Sequence, residues 1–177
     1  MSKLAFLFPG QGSQKPGMLL DIAQQYPQIQ TTFEQASDAL SDDLWAMLQN
    51  ADAATMSLTA NTQPLLLTSG VALWRIWQDN NGQQPEIMAG HSLGEYTALA
   101  CSGAMQFEDA VRAVRFRGQA MQRAVPEGTG AMAAVIGLDD QAVMDCCEAA
   151  AQGEVIEAVN FNAPGQVVIA GSKTAVD

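Results

Sequence analysis

Gly90, His91, Ser92, Leu93 and Gly94 fit the pattern G-x-S-x-G. A strand-like stretch, Pro85 to Gly90, precedes them, and a small-residue helix, Gly94 to Ala104, follows. That setting is what lets the pentapeptide mean a nucleophile elbow. A sharp strand-to-helix turn holds the serine in a strained backbone conformation, and small residues at 90 and 94 let strand and helix approach closely. A serine at a helix N-terminus also meets free N–H groups and a partial positive charge, both favourable to a developing oxyanion. The chemistry on offer is nucleophilic catalysis by Ser92. The plainer reading is that Ser92 only N-caps the helix, as many serines do.

An elbow needs a second oxyanion donor from another strand-loop, and Phe8 to Gly12 is the natural supplier. The backbone N–H groups of Gln11 and Leu93 are the candidate donors. A phosphate-binding loop is the rival. Lys15 stands where G-x-G-x-x-G wants its third glycine, and no G-K-[ST] follows. A plain tight turn after a strand is the remaining reading.

Arg112, Arg115, Arg117 and Arg123 are four of the eight basic residues and share one helical stretch. At ~100° per residue, Arg115 and Arg123 stay within about 60° of Arg112, whereas Arg117 lies roughly 140° away. Ala110, Val114, Met121 and Val125 form the core-facing stripe, which Arg117 borders. A guanidinium at the edge of a core needs an anionic partner or water, and its fork suits a carboxylate. An internal salt bridge or a snorkelling side chain is the alternative. The other three read as a solvated face, a weak patch for an acidic partner.

His91 is the single histidine. Any mechanism that needs a histidine base must use it or import one. Adjacent side chains at a sharp turn diverge, so His91 is badly placed to take the Ser92 proton, and a supporting role beside the elbow backbone fits better. Cys101, Cys146 and Cys147 read as small buried or helical residues, with spacing that suits neither a disulfide framework nor a metal. The nine methionines read as core filler.

The elements that must position these groups follow from periodicity. Lys3 to Phe8 is a short apolar run, read as a buried strand. Met18 to Gln49 has helical spacing interrupted by Pro27, which predicts two helices with a break near Tyr26. Asn61 is a candidate N-cap with Pro64 in the first turn of a core helix running from Leu65 to Trp77. Its apolar run is shorter than the ~18 residues a membrane span requires. Phe107 to Val125 is strongly helical, and the Pro/Gly-rich stretch from Pro126 through Glu127 to Gly130 breaks it at the best subdomain boundary. Beyond lie a strand (Ala131 to Gly137), a helix (Asp139 to Ala151) and two strands (Val155 to Asn160 and Gln166 to Ala170). The order β-α-β-β resembles a ferredoxin-like unit without its last helix and strand. Ser172 is expected to cap a new helix starting at Lys173, so the architecture reads as cut.

At 177 residues with 19 Asp and Glu against 8 Lys and Arg, the formal charge is −11. That balance opposes non-specific binding to nucleic acid or an anionic membrane face. With no basic segment and apolar h-region at its start, the chain reads as a soluble, reduced, cytoplasmic protein.

Phe8 to Gln14, Ala89 to Tyr96, Arg117 and Gly118 with Met121 and Gln122, Pro126 to Ala134, and Val159 to Gln166 together resemble the malonyl-CoA:acyl carrier protein transacylases of bacterial fatty acid synthesis. The resemblance runs the length of the chain. It implies an α/β fold, with an α/β-hydrolase-like large subdomain (1–125, parallel sheet and elbow) and an incomplete ferredoxin-like small subdomain (126–177). It implies that a serine takes malonyl from malonyl-CoA as an ester and passes it to the phosphopantetheine thiol of acyl carrier protein, with no cofactor and no metal. Ser92 matches the nucleophile, Gln11 and Leu93 the oxyanion donors, and Arg117 the clamp on the malonyl carboxylate. His91 matches a supporting residue that is not the base, and Asn160 and Asn162 match a stretch near the active site. Family members continue past position 177 with the histidine base, so the chain alone is expected to transfer little or nothing. A serine esterase or thioesterase of α/β-hydrolase type and a non-catalytic acyl-carrier-protein-binding fragment are the alternatives.

Overall fold

Ala5–Phe8 (β1) and Ile87–Gly90 (β2) pair in parallel, Phe6 beside Met88 and Phe8 beside Gly90. A computed structural model describes residues 3–126 and 128–177, so Glu127 in the expected break lies outside the described residues. Chain contacts divide it into two units, Met1–Met121 and Gln122–Asp177.

In the first unit, Leu20–Ala23 (α1), Gln28–Leu40 (α2), Leu44–Asn50 (α3), Ala53–Ser57 (α4) and Thr59–Asp79 (α5) separate the two strands. Three helices form over 18–49 where two are expected. Pro27 makes the foreseen break, but Ser41 also turns left-handed (φ 52°), and Asp43 then caps α3 by accepting from the Ala46 N–H. The start of α5 is also corrected. It begins at Thr59 after Leu58, so Pro64 lies inside the helix. The Asn61 side chain donates to the Thr55 carbonyl instead of capping. Leu93–Cys101 (α6) and Phe107–Ala124 (α7) complete the unit.

Ile29, Phe33, Leu44, Leu48, Leu65, Leu67, Leu93, Val111 and Val114 form its core. Phe6 packs edge-on against Trp74 and Trp77 of α5, ring centroids 5.3 and 5.4 Å away. The expectation of buried strands is not met: Leu7 is 78% and Ile87 62% exposed. An apolar run shows that a strand can be buried but not how many faces are covered: α6 contacts both strands and Phe6 packs on α5, while Leu7 and Ile87 stay uncovered. The α7 stripe is corrected too. Phe107, Ala110, Val111, Val114 and Gly118 are buried, whereas Met121 and Val125 are about half exposed.

In the second unit, Gly130–Ile136 (β3), Asp140–Ala151 (α8), Ile156–Ala163 (β4), Gln166–Ser172 (β5) and Lys173–Val176 (α9) follow in order. The sheet order is β3-β5-β4, all antiparallel. Val143 and Cys147 of α8 cover one face with Ile156 and Val167. β4 runs on to Ala163 through two register irregularities, which leaves Pro164 and Gly165 (φ 72°) for the turn. Asp139 caps α8 through the Ala142 N–H. Ser172 precedes α9 but makes no side-chain cap bond, and its backbone N–H donates to the Val155 carbonyl at 2.7 Å. The chain is therefore α/β, and no helix among the described residues is long and apolar enough to cross a membrane.

Candidate active site

β2 delivers Gly90 to the turn and α6 starts at Leu93, so Ser92 sits where the backbone reverses, at φ 53° and ψ −109°. A β-carbon on an L residue resists that region. Two backbone hydrogen bonds flank the turn. The His91 N–H donates to the Phe8 carbonyl at 3.1 Å, and the Gly94 N–H to the His91 carbonyl at 2.9 Å. Both glycines of the pattern are sterically required: a Cβ on Gly90 would stand 1.9 Å from the Gly94 carbonyl carbon, and one on Gly94 would stand 2.1 Å from the Phe8 carbonyl oxygen. The Ser92 side chain makes no cap bond to α6. Its hydroxyl accepts a hydrogen bond from Arg117 Nη2 at 2.9 Å.

Arg117 is half-buried on α7. Its guanidinium carbon also lies 5.8 Å from the centre of the ring of Tyr96, one helical turn after Ser92. The next residue brings α7 close to the start of α5, since a Cβ on Gly118 would stand 2.6 Å from the Thr59 carbonyl oxygen. Arg117 is thus aimed by a close helix–helix approach, not by a flexible loop.

Thr59 reaches the other side of the site. Gln11 lies in the turn after β1, and its side-chain amide donates to Thr59 Oγ1 at 3.4 Å. The preceding residue of that loop lies against the elbow: a Cβ on Gly10 would stand 2.9 Å from His91 Nδ1 and 3.1 Å from the His91 carbonyl oxygen. The His91 ring therefore lies along the Gly10 backbone. Leu93 is 1% exposed and opens α6, so its N–H has no intrahelical acceptor.

The structure brings Ser92, Arg117, His91, Leu93 and the Gln11 loop together within the first unit. Asn160 and Asn162 lie on β4 of the second unit, Asn160 half-buried opposite Val168 and Asn162 exposed. The solvated arginine face is corrected at Arg115 alone, since Arg112 and Arg123 are exposed. Arg115 is 16% exposed at its side chain, donates to Asn61 Oδ1 at 2.8 Å and pairs with Asp42, because the α2–α3 break brings that carboxylate to α7. Arg112 pairs with Asp109 at 2.9 Å.

Three residues had no role in the sequence reading: Thr59, Tyr96 and Gln63, the last fully buried on α5 with its Nε2 donating to the Met121 sulfur at 3.2 Å. Gln63 could have been noticed as a polar residue opening an otherwise apolar helical run. Burial pushes the Cys101 thiol up to about 12, and burial likewise raises Cys147. No group of three or more His, Cys, Asp or Glu that could hold a metal occurs among the described residues. The site can thus offer a hydroxyl, a cation beside it and a helix N-terminus, a set suited to an acyl group that bears a carboxylate.

Residues 5–177 match the acyl transferase domain family. The chain is 59% identical over 177 residues to the malonyl CoA-acyl carrier protein transacylase of Escherichia coli K12, covering 100% of this chain and 57% of that protein. It is 43% identical over 178 residues to the protein of the same name from Bacillus subtilis 168, covering 56% of it. A solved malonyl-transacylase in complex with a type II PKS acyl-carrier protein is similar at a TM-score of 0.96 and 53% identity, over 99% of this chain and 57% of that one. The malonyl CoA-acyl carrier protein transacylase structure from Coxiella burnetii gives 0.96 and 51%, over 99% and 55%. The chain spans a little over half the length of the curated relatives it matches.

Proposed function

Because the chain belongs to the acyl transferase domain family, we propose that it is the nucleophile-bearing part of a malonyl-CoA:acyl carrier protein transacylase of fatty acid biosynthesis. The observation that carries this reading is the 2.9 Å hydrogen bond from Arg117 Nη2 to Ser92 Oγ. A cation that close to a nucleophile suits an acyl group whose far end is a carboxylate: with the carboxylate on the guanidinium fork, the thioester carbonyl of a short diacid comes within reach of Oγ.

In the first half-reaction Ser92 Oγ attacks the thioester carbonyl of malonyl-CoA. Its proton passes to a base, a C–O bond forms, and the C–S bond breaks to release coenzyme A, whose sulfur takes the proton back. The tetrahedral oxyanion is met by the backbone N–H groups of Leu93 and Gln11. In the second, the phosphopantetheine thiol of acyl carrier protein attacks the malonyl-serine ester and regenerates the hydroxyl. No cofactor or metal has a part in these steps.

The base is the component these residues do not supply. His91 is the single histidine, and its ring lies along Gly10 as a support for the oxyanion loop. The base therefore comes from the further length that the relatives have, and the 177 residues alone transfer little malonyl. Asn160 and Asn162 are assigned supporting roles.

In the same reading the large subdomain (1–125) is α/β-hydrolase-like, supported by the parallel β1–β2 pair feeding the elbow. The small one (126–177) is a partial ferredoxin-like unit, supported by the antiparallel β3-β5-β4 order around α8.

Intact mass of the chain and of a full-length form, each with malonyl-CoA, tests the proposal. A malonyl adduct on Ser92 of the full-length form that discharges onto acyl carrier protein is expected. Equal use of malonyl and neutral acyl groups would favour an esterase. Binding of acyl carrier protein without any adduct would favour a docking fragment.

A further inference from the structure

We propose that Gln63 is the positioning residue of the carboxylate clamp, its side-chain carbonyl taking an N–H from Arg117 and holding the guanidinium fork toward the acyl carboxylate. This rests on reading Arg117 as that clamp.

Gln63 is fully buried on α5, with 0% of its surface exposed. Its Nε2 donates to the sulfur of Met121 at 3.2 Å, and its Oε1 is buried with no hydrogen-bond partner among the described residues. A buried amide held by a weak sulfur acceptor and carrying an orphan carbonyl is an unusual choice for a core position, where leucine or methionine would pack without cost. The amide is retained where its oxygen has a donor to meet in some state of the protein.

The geometry identifies the donor. Met121 follows Arg117 by four residues on α7, so the two side chains are neighbours on one face. A helical side chain lies over the turn before its own Cα, which brings the Met121 sulfur, and the Gln63 amide bonded to it, over the turn that carries Arg117. Gly118 lets α5 and α7 touch at Thr59, one turn before Gln63. Of the five guanidinium N–H donors, one is engaged with Ser92 Oγ. A carboxylate bound by the fork draws Arg117 off Ser92, and the Gln63 carbonyl is placed to fix the turned guanidinium from the core side. Ser92 Oγ is then freed for attack only when a carboxylate-bearing acyl group is bound.

Steady-state kinetics of the full-length enzyme with malonyl-CoA and acetyl-CoA test this, using Gln63→Met, Gln63→Glu, Arg117→Ala and the double variant Gln63→Met with Arg117→Ala. Gln63→Met keeps the volume and removes the acceptor. It is expected to raise the malonyl KM by ~10-fold with kcat changed less than about threefold, to leave acetyl transfer within about twofold, and not to lower Tm. Gln63→Glu, which keeps an acceptor, is expected to restore the malonyl KM to within about threefold. The double variant should be no worse than Arg117→Ala alone. A malonyl KM unmoved by Gln63→Met, an equal loss for malonyl and acetyl, or an additive double variant would overturn the inference while leaving the clamp intact. A malonyl preference that survives Arg117→Ala would overturn the clamp itself, and the inference with it.

Discussion

Arg117 Nη2 donates to Ser92 Oγ across 2.9 Å, from a residue 25 positions later in the chain. The bond joins the middle of α7 to the turn before α6. A cation on the nucleophile stabilises a developing alkoxide, but a hydroxyl serving as acceptor to a guanidinium is also restrained. Under the proposed function a substrate carboxylate would compete for the same fork, which would couple substrate charge to release of the Ser92 hydroxyl.

That coupling predicts the effect of changing the cation. Arg117→Lys keeps a charge but loses the planar fork, and Arg117→Ala loses both. Malonyl kcat/KM in a full-length form should fall by ~10²-fold or more in the alanine variant, about 3 kcal/mol, with lysine recovering only part. Acetyl transfer should fall far less. Parallel losses for both acyl groups would count against a charge-specific role.

Ser92 is held at φ 53° and ψ −109°, where a β-carbon is strained. Ser92→Gly should therefore raise stability by about 1–3 kcal/mol in urea melts, while Ser92→Ala, which keeps the β-carbon, should not. Neither should form an acyl adduct. A Ser92→Gly variant no more stable than Ser92→Ala would mean the turn holds no strain.

Gly94 lies under the Phe8 carbonyl, where a Cβ would stand 2.1 Å from the oxygen. Backbone cannot move aside as a side chain can. Gly94→Ala should cost about 3 kcal/mol and loosen the elbow. Gly153 (φ 95°), whose Cβ would meet nothing within 4 Å, is the control for glycine replacement as such: its alanine variant should cost only the backbone penalty, about 1 kcal/mol.

Arg115 ties Asp42 and Asn61 to α7 with a mostly buried side chain. Arg115→Ala should destabilise the fold by about 1–2 kcal/mol, the half-exposed Asp42 limiting the loss. Arg123→Ala, at an exposed position, should change stability by less than about 0.5 kcal/mol. Equal effects would mean that the Arg115 pair contributes nothing.

The thiols should separate by burial. Cys146 is exposed and should react first with a thiol reagent, while Cys101, pushed up to about 12 by burial, should stay silent until unfolding. Its sign for stability is fixed: the unfolded thiol ionises first, so stability falls as pH rises from the unfolded value toward 12, and Cys101→Ala should flatten that decline. A pH profile unchanged by the substitution would assign the alkaline loss elsewhere.

Much of the site was legible because its requirements are local. A strand, a glycine, a serine, a glycine and a helix specify the elbow within a dozen residues, and helical spacing separated Arg117 from its neighbours. The break at Ser41 was not legible, because a left-handed serine carries no composition signal and Asp43 reads equally as a loop residue. The open faces of β1 and β2 were not legible either, since an apolar run does not count the layers that cover it.

The sequence by itself determined that Ser92 is placed at a strand-to-helix turn, that the chain has one histidine, and that Arg117 differs from Arg112 and Arg115. It could do so because periodicity and glycine placement act over a few residues. Only the tertiary structure decided that Arg117 reaches Ser92, that Arg115 is an internal tie, and that Gln63 is a buried amide bonded to Met121. These depend on the approach of α5 to α7 through Gly118, a contact between segments about sixty residues apart. Packing at that range is set by the sum of many side-chain volumes, which no local pattern encodes.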